Sequence, residues 1–290
     1  TTAPAFRDAE IATRASGTSI SIPAPATQAG DLLIAVVSAN NFNGTTWSTP
    51  AGWTSMGGEA SGWYQETRAY YRLAAATPPA SYTFSYGDSS DAAGTIVAYS
   101  GVDQTNPIST HTYEVGEATY ARAPTVNVAR ANSLFVVGYT YEGHVNGPTP
   151  TGMTKRGATP ITGNSAQDLQ VRVHDELRGA TGATGSRTST YPSGDGRYHG
   201  YSIVVQPPAP TKDPTVSLSW PIASDTAVTG YSLVRTNGAT TVTVPISGRA
   251  TAAHTDSTTT ATVAYTYELR STTATAWRST ARTANAAICP

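Results

Sequence analysis

The chain has 290 residues, of which 13% are charged, and its formal net charge is −1. A chain of this length can form two or three domains of ordinary size, and a surface without excess positive charge excludes binding by neutralisation of nucleic-acid phosphates. No apolar run approaches the roughly 18 residues of a membrane helix, so no membrane insertion is predicted.

The first hundred residues contain short runs rich in β-branched and aromatic side chains. Gly, Pro, Asn and Asp separate these runs, a pattern typical of strands on a half-buried sheet. The pattern predicts strands at 18–24, 31–39, 68–74, 81–87 and 94–100. No long amphipathic helix is indicated, and the predicted fold class is therefore all-β.

The same order of runs returns in the second hundred residues, roughly 100 to 106 positions later, at 124–130, 132–140, 169–177 and 200–207. A repeated turn marks the duplication: TPAGWTSMG at 49–57 becomes TPTGMTKRG at 149–157. Pro fixes φ and Gly supplies a permissive backbone in such a turn. Trp53 and Met153 occupy the same position in it, and we expect both to close one end of a core.

The duplication predicts a jelly-roll-like β-sandwich region made of repeat 1 (1–105) and repeat 2 (106–207). Its period is too long for the common solenoid and propeller repeats. Either each repeat forms its own small sandwich, or both interleave into one larger sandwich. The segment 101–124 is interpreted as an unbroken connection between the repeats, and it does not decide between these alternatives.

Residues 208–213 form a Pro-rich linker, and residues 214–290 are predicted to be a separate domain. Three motifs carry a resemblance to the fibronectin type III family: VSLSW at 216–220, VTGYSLVRT at 228–236, and a Thr-Asp turn followed by Tyr-x-Tyr-x-Leu within 254–272. The resemblance implies an immunoglobulin-like sandwich.

The fibronectin resemblance also implies roles for four side chains. Trp220 corresponds to the core Trp of the family's second strand, and Tyr231 lies on the buried face of the next strand. Either Tyr265 or Tyr267 forms the tyrosine corner, in which a hydroxyl bonds to backbone upstream. The Arg-Gly-Asp loop that some members carry is absent from this sequence.

The strings AGDLLIAVVSAN, TPAGWTSMG, RAYYRLAA, PASYTFSYG and GTIVAYSGVD resemble a duplicated β module found in proteins of actinobacteria and their bacteriophages, often beside fibronectin type III domains. Virion tail and capsid appendages and secreted surface proteins carry such modules. The resemblance implies an architecture and a setting, and no active site.

Titratable residues show no catalytic or metal-binding pattern, so no catalytic residue, metal or cofactor is predicted. The histidines are His111, His144, His174, His199 and His254, and none has a partner at the i, i+4 spacing of a helical metal site. We expect them on the surface or in turns.

Three polar segments are candidates for a ligand site. In VRVHDELR at 171–178, His174 and Glu176 share one strand face and Asp175 the other, so an exposed strand face is predicted. Three further acids, Asp88, Asp91 and Asp195, lie in Gly-rich segments. We interpret them as turn residues, since a calcium site needs six to eight oxygens. Cys289 is the one cysteine and has no partner for a disulfide.

Aromatic residues supply the one binding signal. Trp47, Trp63 and Tyr64 lie in Gly-, Ser- and Thr-rich loops, and aromatic faces in such loops can stack on sugars. They are the candidate contacts to a sugar or a cell surface, and burial in the core is the competing interpretation.

The favoured function is a non-enzymatic structural and binding protein of a bacteriophage virion, a tail or capsid appendage that contacts the host surface. Its partners would be other virion proteins or bacterial cell-surface glycan, and exposed sheet edges allow a homo-oligomer. The alternative is a secreted actinobacterial adhesin or carbohydrate-binding module, outside the cell or on its surface. A hydrolase is the third hypothesis.

Overall fold

The structure is a computed structural model that describes residues 2–40, 47–58, 60–61, 65–87, 89–143, 147–162, 168–191, 196–209, 215–238, 240–260, 263–275 and 278–287. These residues form strands, turns and loops without a helix, which confirms the all-β fold class. Accordingly, the described part of the chain contains no helix that could span a membrane. The chain divides into two compact units, Thr1–Ala209 and Pro210–Pro290.

The first unit begins with the strands of repeat 1. They are β1 (Ala5–Arg14), β2 (Ser19–Pro23), β3 (Leu32–Asn40), β4 (Thr54–Ser55), β5 (Ala60–Ser61), β6 (Gln65–Leu73), β7 (Ser81–Ser85) and β8 (Ala92–Ser100). One large sheet has the order β1-β8-β3-β6-β4, with β5 also paired to β6, and a second sheet consists of β2 and β7. All of these pairings are antiparallel.

Repeat 2 has the same plan. Its strands are β9 (Ile108–Ala118), β10 (Tyr120–Ala123), β11 (Asn127–Val128), β12 (Ser133–Glu142), β13 (Thr154–Ala158), β14 (Leu169–Arg178), β15 (Gly182–Ala183), β16 (Arg187–Thr190) and β17 (Gly196–Val205). The large sheet has the order β13-β14-β12-β17-β9, and β10–β16 and β11–β15 form two small sheets.

Three apolar cores lie between the sheets of the first unit. Within repeat 1, Leu33 and Phe84 belong to the core between the large sheet and the β2–β7 sheet. Within repeat 2, Phe135 belongs to the equivalent core. A third core joins the repeats, because Ile34 and Val136 of the two large sheets lie in one cluster. Each repeat is thus a small sandwich, and the two sandwiches pack through their large sheets.

The repeated turn has the same geometry in both repeats. The amide of Trp53 donates to the carbonyl of Pro50 at 3.1 Å, and that of Met153 donates to Pro150 at 3.1 Å. The intervening glycines have φ of 77° and 83°, the value a type II turn requires at its third residue. Trp53 packs edge-on against Tyr82 and Phe84, and Met153 lies in the core of repeat 2.

Segment 101–124 corrects the sequence interpretation, because it is not an unbroken connection but contains β9 and β10. Strand β1, near the amino terminus, was also missed. Both β1 and β9 are edge strands of their sheets. Most of their residues are half-buried or exposed, so they lack the alternation that identifies a strand with one buried face.

The match of 124–130 to the first predicted strand is corrected as well. In repeat 1, β2 pairs with β7, the strand before β8. The equivalent of β7 in repeat 2 is β16, and β16 pairs with β10. Strand β10 is therefore the counterpart of β2. Only Asn127 and Val128 of the segment 124–130 form a paired strand.

The second unit contains β18 (Val216–Ser219), β19 (Val228–Asn237), β20 (Thr240–Ser247), β21 (Ala253–Asp256), β22 (Ala264–Thr273) and β23 (Arg282–Ala287). A two-stranded sheet, β18–β21, and a four-stranded sheet of order β20-β19-β22-β23 contribute to one core. Leu233, Tyr265 and Tyr267 are the buried residues of that core.

The tyrosines of the second unit have distinct partners. The hydroxyl of Tyr265 accepts the backbone N–H of Thr260 at 2.9 Å, whereas the hydroxyl of Tyr267 donates to the carboxylate of Asp256 at 3.0 Å. Of the two candidates for the tyrosine corner, Tyr265 is therefore the one whose hydroxyl contacts backbone upstream of it.

Trp220 and Tyr231 lie together at the end of the same unit. Trp220 is half-buried, donates its indole N–H to the carbonyl of Thr251 at 2.9 Å and lies 5.5 Å from the ring of Tyr231. Tyr231 is 4% exposed, and its hydroxyl donates to the carbonyl of Arg249 at 2.9 Å. Trp220 thus covers the edge of the core, and Tyr231 is buried.

Candidate functional site

The strand ends of both repeats gather at one end of the first unit. In repeat 1, Asn40 at the end of β3 pairs with Gln65 at the start of β6. In repeat 2, Glu142 at the end of β12 pairs with Leu169 at the start of β14. Since neighbouring strands are antiparallel, the end of β3 lies beside the start of β6, and the end of β12 lies beside the start of β14.

Polar side chains that are buried or, for Asp91 and Thr162, half-buried join the repeats at this end, and we call them the polar seam. They are Ser38, Asn40, Gln65, Thr67, Asp91, Thr140 and Thr162. The hydroxyls of Thr67 and Thr140 are 2.9 Å apart, and the amide of Gln65 donates to Thr140 at 3.2 Å. Ser38 lies 3.0 Å from Thr67. The seam therefore runs from β3 and β6 of repeat 1 to β12 of repeat 2.

Asp91 is the charged member of the polar seam. Thr162 of repeat 2 donates to one carboxylate oxygen at 2.6 Å, and the amide of Asn40 donates to the other. Burial raises the pKa of Asp91, the hydrogen bonds from Thr162 and Asn40 oppose the rise, and the negative charge of Asp168 adds to it. This carboxylate is positioned to hold the two repeats in register.

Another carboxylate, Glu142, is buried at the end of β12. It is 6% exposed, and Arg197 of β17 donates to it at 3.4 Å. Burial raises the pKa of Glu142, and the nearby Arg197 opposes the rise. The ion pair joins neighbouring strands within repeat 2 rather than the two repeats.

Tyr201 extends the seam along the core between the large sheets. Its hydroxyl lies 3.2 Å from the carbonyl oxygen of Thr67 and 3.3 Å from that of Gly57. A side chain of repeat 2 thus contacts backbone of repeat 1. The seam side chains are buried or half-buried, so their hydrogen bonds hold the two repeats together at this end of the first unit.

The aromatic candidates are placed as follows. Trp47 is 8% exposed, donates its indole N–H to the carbonyl of Glu66 at 3.2 Å and lies 4.7 Å from the ring of Tyr86. It belongs to the core of repeat 1, so its ring offers no open face on which a sugar could stack. Trp63 and Tyr64 lie outside the described residues.

The expected surface position of the histidines is wrong for His174 and His199, which are both 0% exposed. Strand β14 is also not an exposed face, since Asp175 is 2% exposed. The reason is that the large sheet of repeat 2 has a core on each side. His111 is exposed and His254 is half-buried.

His144, Asp88, Asp195 and Cys289 lie outside the described residues. Within the described ranges, no group of three His, Cys, Asp or Glu side chains is arranged to hold a metal ion.

Sequence reasoning missed the polar seam. A usable signal was present, because the apolar strand β3 ends with Ser38 and Asn40 on one face, and β12 ends with Thr140 and Glu142 on the equivalent face. Polar residues two positions apart in an otherwise buried strand indicate a polar layer on that face.

Comparisons with known proteins place the chain in no family. Neither the family models nor the curated proteins gave a match. A search of solved structures matched, among others, the crystal structure of chicken CNTN1 FN1–FN3 domains, with 10% identity and a TM-score of 0.25, over 100% of this chain and 99% of that chain. The fold described above is defined by the strands and sheets of this chain itself.

Proposed function

We propose that the chain is a non-enzymatic structural and binding protein of a bacteriophage virion, a tail or capsid appendage whose seam end contacts the host surface. The observation that carries this proposal is the polar seam, which joins the strand ends of both repeats at one end of the first unit. A rigid β scaffold with function in its loops is a common arrangement for binding proteins.

Virion membership is tested first. Particles are purified from a phage whose genome encodes this chain, and their proteins are identified by mass spectrometry. The chain is expected at a stoichiometry of several copies per particle, while a non-structural protein of the same genome is depleted. Absence of the chain from purified particles would refute the virion role.

The seam end is tested as the contact surface by cell adsorption. Trp63→Ala and Tyr64→Ala alter the connection between Ser61 and Gln65 and are expected to weaken adsorption of the chain to host cells about tenfold or more. Leu177→Ser is the matched control, since Leu177 is 58% exposed and lies at the opposite end of β14. Equal losses in all three variants would argue against a contact surface at the seam end.

The alternative function is a secreted actinobacterial adhesin or carbohydrate-binding protein. It is supported by Trp63 and Tyr64, which lie in sequence between strands β5 and β6, but no longer by the buried Trp47. A glycan array probed with the full chain distinguishes the two functions. Binding to a defined glycan that is lost in Trp63→Ala, together with absence from virions, would favour the adhesin.

A further inference from the structure

A buried arginine of repeat 2 lacks the carboxylate that its counterpart in repeat 1 has. Arg68 is the fourth residue of β6 and Arg172 the fourth residue of β14. In repeat 1, Arg68 forms an ion pair with Glu66 at 2.7 Å. The residue equivalent to Glu66 is Gln170, which carries no charge. Repeat 2 thus has the arginine at this position without the neighbouring acid.

The surroundings of Arg172 do not supply the missing charge. The residue is 6% exposed, and its Nη1 atom is buried without a hydrogen-bond partner among the described residues. Tyr139, Tyr191 and His174 are titratable groups near enough to interact with its charge, and none of them is a carboxylate. Burial raises the pKa of both phenols, so both stay neutral. Arginine remains protonated in proteins, and a positive charge is therefore enclosed here.

His174 adds a second unsatisfied group on the same face of β14, two residues beyond Arg172. It is 0% exposed, and within the described part of the chain neither ring nitrogen has a hydrogen-bond partner. Its ring lies edge-on to Tyr139 at 5.8 Å. Two adjacent buried side chains thus present Nη1 of Arg172 and the ring nitrogens of His174 without a hydrogen-bond partner among the residues that the structure describes.

The neighbouring carboxylates are engaged elsewhere. Glu176, the next residue on this face, accepts Arg187 at 2.6 Å and Arg178 at 3.1 Å. Asp175 lies on the opposite face of β14, where Arg156 contacts it at 2.9 Å. No nearby acid among the described residues is left to neutralise Arg172.

We propose that Arg172 and His174 form a binding site for a small monovalent anion of about the size of chloride. An unpaired buried charge is costly, and a bound counter-ion removes most of that cost. The Arg172 guanidinium supplies the positive charge and several N–H donors, and one His174 nitrogen supplies another donor. Near-complete burial beside Tyr139 and Tyr191 limits the ligand to a few atoms.

The proposal is tested on the full chain by thermal unfolding in sodium chloride and in sodium gluconate at constant ionic strength. Gluconate is too large for the site and controls for screening. Above the dissociation constant, each tenfold rise in chloride is expected to raise the unfolding midpoint of the first unit by about 3 to 5 °C. An equal response to both salts would overturn the proposal.

Matched arginine variants assign the effect to the site. Arg172→Met is expected to abolish the chloride response, whereas Arg68→Met, which removes the paired arginine of repeat 1, retains it. A full chloride response in Arg172→Met would overturn the proposal. Should Arg172→Met fail to fold, crystals of the unaltered chain grown in sodium bromide decide: an anomalous bromide peak within hydrogen-bonding distance of Arg172 and His174 supports the site, and its absence overturns it.

Discussion

At the scale of single residues, much of the specificity of this molecule comes from buried polar groups that have defined partners. Asp256 is the clearest case, since it is 8% exposed and accepts hydrogen bonds from Arg235, Thr258 and Tyr267. Burial alone would raise the pKa of Asp256, but the bonds from Thr258, Arg235 and Tyr267 outweigh it and lower the pKa to about 2.

The lowered pKa makes the stability of the second unit depend on pH. The unfolded chain protonates Asp256 near its ordinary pKa of 3.8 and the folded chain near 2. The stabilisation, about 2 kcal/mol, is therefore complete above roughly pH 5 and is lost as the pH falls from 4 towards 2. The stability of the second unit at each pH is measured by hydrogen exchange of β19 and β22, followed by mass spectrometry.

Asp256→Asn is expected to lower the free energy of unfolding by about 2 kcal/mol at pH 7 and to flatten this acid dependence. Asp225→Asn serves as the control, because Asp225 is exposed and bonds within its own turn to the amide of Ala227. A wild-type pH profile in Asp256→Asn would contradict this account.

Trp47 shows where the sequence is ambiguous at this scale. A Trp in a Gly- and Ser-rich segment can be a binding platform or a core residue, and the long-range partners that decide between them, Glu66 and Tyr86, are not neighbours in sequence. Burial of His174 and His199 was hidden for the same reason, since it depends on layers formed by distant strands.

Trp47→Ala is expected to destabilise the first unit by about 3 to 5 kcal/mol, because it leaves a cavity and removes the donor to the Glu66 carbonyl. Urea unfolding measures the loss. Leu177→Ala, at a 58% exposed position, is the comparison and should change stability by less than about 0.5 kcal/mol. Unchanged stability in Trp47→Ala would show that the indole is not part of the core.

At the scale of elements, central strands and tight turns were predictable, whereas edge strands were not. Strand β3 is buried along its whole length, so its sequence is a continuous apolar run. Strands β1 and β9 each pair with a single neighbour and stay partly exposed. Their composition is mixed, because pairing through the backbone imposes little on the side chains.

The repeated turn needs glycine because of its backbone conformation, and not because a side chain would lack room. A Cβ added to Gly52 or Gly152 would meet its nearest atom at 3.4 Å or 3.6 Å, respectively, yet φ is 77° and 83°. Gly52→Ala and Gly152→Ala are each expected to cost about 1 kcal/mol of unfolding free energy, measured by urea denaturation.

Gly179→Ala is the control for the turn, since Gly179 has no positive φ and no atom within 4 Å of an added Cβ. It should be neutral or slightly stabilising. A cost in Gly179→Ala equal to that in Gly52→Ala would show that loss of glycine itself, rather than the turn conformation, is responsible.

At the scale of the whole molecule, duplication was predictable from the sequence, but the way in which the repeats join was not. Corresponding strands share a hydrophobic pattern, whereas the contact between Asp91 and Thr162 pairs side chains from non-equivalent segments. Such a contact has no counterpart in the pattern of either repeat. The polar seam is therefore a property of the assembled unit, and a double-mutant cycle can measure its strength.

The cycle combines Asp91→Ala with Thr162→Val. A hydroxyl that donates to a half-buried carboxylate at 2.6 Å is expected to give a coupling energy of about 1 to 2 kcal/mol in urea unfolding. Thr162 also accepts the backbone N–H of Leu169 at 3.0 Å. Thr162→Val removes this hydrogen bond in the single and in the double variant alike, so its loss cancels in the cycle. In a control cycle, Asp91→Ala is combined with Thr251→Val of the second unit. The changes in unfolding free energy caused by these two substitutions should be additive. Coupling near zero for Asp91 and Thr162 would mean that the apolar core alone holds the repeats in register.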